Sequence, residues 1–174
     1  MRSFLLSLLL PSLRTALAHA QNTTTYLTAP ALITSPQNTT VIQCWRLAQP
    51  FTRSSLPGIT GSQTVTISNT TRLDYTILPP RYDGGLHTAP VPQLVHFLSG
   101  LARITLPQDA DTELWIVGGK GGLVFAADTV GLGHFTTYPS DQETVAIAAP
   151  LQHGLLPEHE VLNEGPCDGL QTFL

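Results

Sequence analysis

The chain has 174 residues, with 8 basic and 12 acidic side chains and a net charge of −4 at neutral pH. That length fits one domain, and the acid excess excludes an electrostatic grip on nucleic acid or an anionic membrane. Charged residues make up only 11% of the chain, and 14 glycines and 14 prolines punctuate short runs of Val, Ile, Thr and Leu. Such punctuation predicts an all-β domain.

The first twenty residues read as a secretory signal peptide. Arg2 supplies the positive start, Phe4 to Leu10 is apolar apart from Ser7, and Ala18-His19-Ala20 is a small-x-small cleavage site. The apolar run is too short to span a bilayer, and no later run is long enough, so no membrane insertion is expected. Cleavage removes Arg2 and Arg14 and no acid, leaving six basic against twelve acidic side chains, a net −6. Residues 21–40, rich in Thr, Pro and Asn, read as a poorly ordered glycosylated arm ending in an edge strand. Sequons at Asn22, Asn38 and Asn69 fit the secretory route, lumenal or extracellular. Cys44 and Cys167 then form one disulfide, stabilising by about 4 kcal/mol on the chain-entropy model.

From residue 41 onward one β-domain continues to the end of the chain. Val41–Leu47 is a short strand, and Gln49–Gly61 is a loop of a length suited to a cavity rim. Gln63–Ser68 alternates Val65 and Ile67 with threonines, and Arg72–Leu78 returns beside it as a hairpin, ended by Pro79-Pro80. In Gln93–Leu98, residues Gln93, Val95 and Phe97 share one face and Leu94, His96 and Leu98 the other. A Ser99-Gly100 turn leads back through Leu101–Leu106. Glu113–Val117 and Gly122–Ala127 form the next pair. His134, Thr136 and Tyr138 share a face after a glycine-rich turn. Thr144–Ala149 is the last good strand, and the remainder is turn-rich. About eight short strands in one domain suit a jelly roll.

The spacing His87-x-Ala89-x3-Gln93-x6-Gly100 resembles the first cupin motif, His-x-His, three or four residues, Glu, six residues, Gly. Gly131-x2-His134-x3-Tyr138 resembles the end of the second, Gly-x2-His-x3-Asn. The resemblance implies a single-domain cupin-type jelly-roll β-barrel, with a homodimer through edge strands as the default assembly. Many cupins hold a metal with three histidines and a glutamate. Here His87 and His134 stand at two of those positions, while Ala89 and Gln93 replace the others, so neither a metal nor any other cofactor is expected.

The same side chains make a hydrogen-bonding patch: His87, Gln93, His134, Thr136 and Tyr138 can each donate or accept. Tyr75, Phe97, Trp115 and Phe125 are the expected apolar walls for small apolar substrates. The chain also resembles small secretory fungal cupin-like hetero-Diels–Alderases, which join a quinone methide derived from a tropolone or phenol to a humulene-type terpene. The resemblance implies a metal-independent pericyclase with His87, Gln93, His134 and Tyr138 as its catalytic donors. Two other classes stay open: a metal-dependent cupin dioxygenase or isomerase, and a non-catalytic secreted protein that binds a small molecule. No Gly-x-Ser-x-Gly elbow surrounds Ser99, and Gly119-Lys120-Gly121-Gly122 lacks the spacing of a dinucleotide fingerprint.

Overall fold

A computed structural model describes residues 24–168. The segment expected to be a signal peptide, residues 1–20, and Asn22 lie outside the described residues. Strands dominate, and no helix among the described residues is long and apolar enough to cross a membrane. Among the described residues, thirteen strands in chain order form a seven-stranded mixed sheet, a four-stranded antiparallel sheet and a small two-stranded ribbon. None of the sheets closes into a barrel. Each keeps two edges, so the expected closure is corrected to an open two-sheet arrangement.

The large sheet has the order β13 (His159–Glu164), β2 (Thr40–Pro50), β1 (Tyr26–Thr34), β10 (Leu123–Ala127), β7 (Gln93–Ser99), β12 (Thr144–Pro150), β5 (Asp74–Leu78). The small one runs β6 (Asp83–His87), β11 (His134–Thr137), β8 (Leu101–Leu106), β9 (Asp109–Val117). The two-residue period of each strand decides what it buries. Leu32, Ile42, Phe97, Val124 and Ala146 point from the large sheet onto Ile104, Leu114 and Ile116 of the small one, and these make the main core. The opposite parity, with Ala29, Ala31, Trp45, Leu47, Leu123 and Phe125, packs a second cluster on the far face of the large sheet. Ile67 covers part of it.

Several expectations change. The arm at 21–40 contains β1, an interior strand flanked by β2 and β10, with Ala29 and Ala31 fully buried. Pro30 is tolerated because the parallel ladder to β10 begins only at Ala31. Residues 63–68 hold only the short β4 (Gln63–Thr64), which pairs with β3 (Thr52–Arg53); β5 pairs with β12 and forms no hairpin with that segment. The 113–117 and 122–127 runs lie in different sheets, β9 beside β8 and β10 between β1 and β7. The tail carries an unexpected edge strand, β13.

Ser99-Gly100 is a corner between the two sheets, not a hairpin turn. Gly100 sits at φ 86°, and a Cβ there would fall 2.3 Å from Thr144 Oγ1. Only glycine passes this corner without displacing β12. Cys44 and Cys167 are joined, with Cα atoms 4.7 Å apart, tying β2 to the segment after β13. The bridge fits an oxidising compartment.

Candidate functional site

The two sheets part at one end around a cavity of about 150 Å³. Leu32, Val95, Phe97, Ile104, Val124 and Ala126 make its apolar walls; His87, Gln93, His134, Thr136 and Tyr138 supply the polar atoms. Parity places them there. Gln93, Val95 and Phe97 are the inward face of β7, and His134 and Thr136 the inward face of β11, with Tyr138 just beyond it. His96 has the other parity and bonds through Nε2 to the Gly119 carbonyl, 2.8 Å away.

Three of the expected walls lie elsewhere. Phe125 is fully buried but belongs to the second cluster, because its neighbours Val124 and Ala126 take the cavity side of β10. Tyr75 is 64% exposed on edge strand β5. Trp115 alternates with core residues Leu114 and Ile116, so its ring faces outward, donating to Glu113 at 2.9 Å beside Arg103. Hydrogen bonding from Arg103 holds the Glu113 carboxyl below its ordinary range. Phe97 alone of the proposed aromatic walls reaches the cavity.

The two histidines are direct cross-strand partners, His134 on β11 and His87 on β6, and their ring centroids stand 4.5 Å apart. They differ in setting. His87 is exposed at the mouth, its Nδ1 3.1 Å from the Gly85 carbonyl. His134 is buried, and its Nδ1 lies 2.6 Å from Asp128 Oδ2. Asp128, also fully buried, accepts a second bond from the Thr40 hydroxyl at 2.8 Å, while its Oδ1 has no partner. A carboxylate on Nδ1 fixes the tautomer and leaves Nε2 as the free nitrogen. That nitrogen can take a proton from an acidic hydroxyl or, once protonated, donate to a carbonyl oxygen.

Asp128 and Thr40 were not among the sequence candidates. The available signal was a lone acid directly after the apolar Leu123–Ala127 strand and six residues before His134. The 128–133 loop brings the two together by docking on the β1–β2 turn. There Leu132 N–H donates to the Asn38 carbonyl at 3.2 Å. Gly131, at φ 95°, lets this approach occur; a Cβ would lie 2.3 Å from that same oxygen.

The donor set does not fit a resident metal. Two imidazoles face each other, but Ala89 contributes no ligand, Gln93 is neutral, and the Asp128 carboxylate sits behind His134 on its Nδ1 side. Among the described residues no group of three His, Cys, Asp or Glu is placed to hold an ion. A three-ligand site is therefore incomplete.

Tyr138 packs against Tyr82 and Phe97, with ring centroids 6.0 and 6.3 Å away. Burial pushes its phenol up to about 12, with the Tyr82 charge adding to the shift. Burial favours the neutral form, so its stabilising contribution is whole below the ordinary pKa of 10.0 and is lost as pH climbs toward 12. A difference absorbance titration of wild type against Tyr138→Phe should show one phenol ionising near pH 12. A step near pH 10 would refute the assignment.

No family model matches this chain, and no curated protein or solved structure matches it either.

Proposed function

We propose that the chain is a cofactor-independent pericyclase that adds a quinone methide, held in the intersheet cavity, to an alkene of a humulene-type terpene. The observation that carries this reading is a carboxylate-backed imidazole at a cavity the size of one ring, with apolar walls on one side and polar groups on the other. A space of about 150 Å³ accepts a benzene-sized group. The tropolone- or phenol-derived ring fits such a space; a sesquiterpene does not, so the terpene meets the ring at the mouth, beside His87 and Pro90. The cupin-type jelly roll belongs to the same reading, supported by the two facing sheets and by the meeting of His87, Gln93 and His134.

The chemistry asks little of the protein. A hetero-Diels–Alder addition forms its two new bonds in one step, with no nucleophile and no electron transfer. Two demands remain: reactants held at near-attack distance, and donors on the quinone-methide oxygen, where negative charge grows. His134, held by Asp128 on its Nδ1 side, donates from Nε2 to that oxygen. Gln93 and Tyr138 supply further neutral donors, and Phe97 stacks against the ring. Asp128 and Thr40 act through His134 as positioning residues.

Incubation with a quinone methide, generated in place by loss of water from a hydroxymethyl-tropolone, and humulene tests the reading. Gln93→Leu and Tyr138→Phe should each lower kcat by about tenfold or more with little change in KM, since the lost bonds strengthen in the transition state. Unchanged yield and stereochemistry in both variants would sink it. The small cavity favours one rival, a carrier of a single aromatic ring, which predicts co-purifying ligand and no turnover.

A further inference from the structure

We propose that Asn38 carries an N-linked glycan that is added only before the chain folds, because the folded protein has withdrawn the hydroxyl that the sequon needs. Addition of sugar to Asn-x-Thr requires the acceptor asparagine and the threonine hydroxyl two residues later to be presented together. In the fold these two groups part company. The Asn38 side chain is exposed, whereas Thr40 is fully buried and its hydroxyl is spent on Asp128, 2.8 Å away.

The backbone of the sequon is equally committed. Asn38 N–H donates to the Ser35 carbonyl at 2.9 Å, Ser35 N–H to the Thr39 carbonyl at 2.8 Å, and the Ser35 and Thr39 hydroxyls bond to each other at 2.8 Å. Asn38 itself lies at φ 62°, and its carbonyl is capped by Leu132 N–H. A transferase that reads an opened sequon would have to dissolve this turn, undock the 128–133 loop and strip Thr40 from Asp128. Those are the contacts that assemble the candidate site, so the opening amounts to unfolding one end of the domain.

Asn69 provides an internal contrast. Both Asn69 and Thr71 are exposed, and the Thr71 hydroxyl reaches only the Pro150 carbonyl, at 3.5 Å. The two sequons of the described chain thus differ in what the fold does to their threonines. At Asn38, folding and modification compete for one hydroxyl, and whichever glycoform has folded is permanent for the life of that molecule. This inference stands apart from the cycloaddition reading and needs no substrate.

The experiment compares two preparations of the full chain by site-resolved peptide mapping. One is secreted from a eukaryotic host with its glycosylation intact. The other is made without glycosylation in an oxidising bacterial compartment, isolated with the Cys44–Cys167 bridge formed, and then given a purified single-subunit oligosaccharyltransferase with lipid-linked donor, shown active on a generic acceptor peptide. Asn38 is expected to be occupied in the first. In the second it should be filled at least about tenfold more slowly than after thermal unfolding of the same sample, since access requires local opening. An empty Asn38 in the secreted chain overturns the proposal, as does filling of the folded chain as fast as of the unfolded one.

Discussion

Asp128→Asn should lower kcat of the proposed cycloaddition by about 100-fold or more, the size of effect seen when one preorganised donor is lost. The amide oxygen can still accept from Thr40 and from His134 Nδ1, the two bonds that the carboxylate now takes at 2.8 and 2.6 Å. What disappears is the negative charge behind the imidazole at the moment oxygen charge develops. Because that loss is felt in the transition state, kcat falls while KM holds. Thr40→Ser should retain activity, because a serine hydroxyl can make the same bond. Steady-state kinetics with a thermal melt of each variant checks both statements. An Asp128→Asn enzyme with wild-type kcat would remove the relay from the mechanism.

Opening the Cys44–Cys167 bridge by Cys44→Ala with Cys167→Ala should cost about 4 kcal/mol, because the bridge closes a loop spanning 123 residues of sequence. For a domain of this size that corresponds to a melting midpoint lower by roughly 10 °C. The damage should begin locally. Strand β13 is an edge strand held, besides the bridge, by its ladder to β2, by the stack of His159 on Trp45 with ring centroids 3.6 Å apart, and by side-chain bonds from Arg46 to Glu160 and from Gln43 to Glu164. Hydrogen exchange should therefore quicken first in residues 159–164, with the cavity end unaffected. A midpoint equal to that of wild type would show that the noncovalent contacts of β13 hold the tail without the bridge.

Strand parity was legible in the sequence where it was applied. The assignment of Gln93, Val95 and Phe97 to one face and His96 to the other matches the folded chain, because a two-residue period is a local property of the backbone. Applied to β9 and β10 the same rule would have excluded Trp115 and Phe125 from the cavity, since Leu114 and Ile116 flank the first and Val124 and Ala126 the second. Sheet partners are a different matter. Ser99-Gly100 looks like a hairpin turn, yet β7 and β8 belong to opposite sheets, and the corner packs directly against Thr144 from 44 residues downstream. Composition misled at 26–34, where threonine, proline and the neighbouring sequons masked an interior strand. The Asp128–His134–Thr40 contact was illegible for a related reason: it depends on a loop docking against a turn about ninety residues away.

The parallel pairing of β1 with β10, Ala31 opposite Phe125, has a consequence for how the molecule comes into being. Synthesis delivers the β1–β2 hairpin early, but its open side waits until Leu123–Ala127 has emerged. Parallel pairing over such a separation requires closing a long loop before any contact rewards it, which places folding among the slower topologies. In the interval a nascent chain presents the apolar flank of β1 as a bare strand edge. A ribosome stalled before Leu123 would hold a sticky fragment rather than half a protein, and chaperone engagement should concentrate on Tyr26–Thr34 until the partner strand arrives.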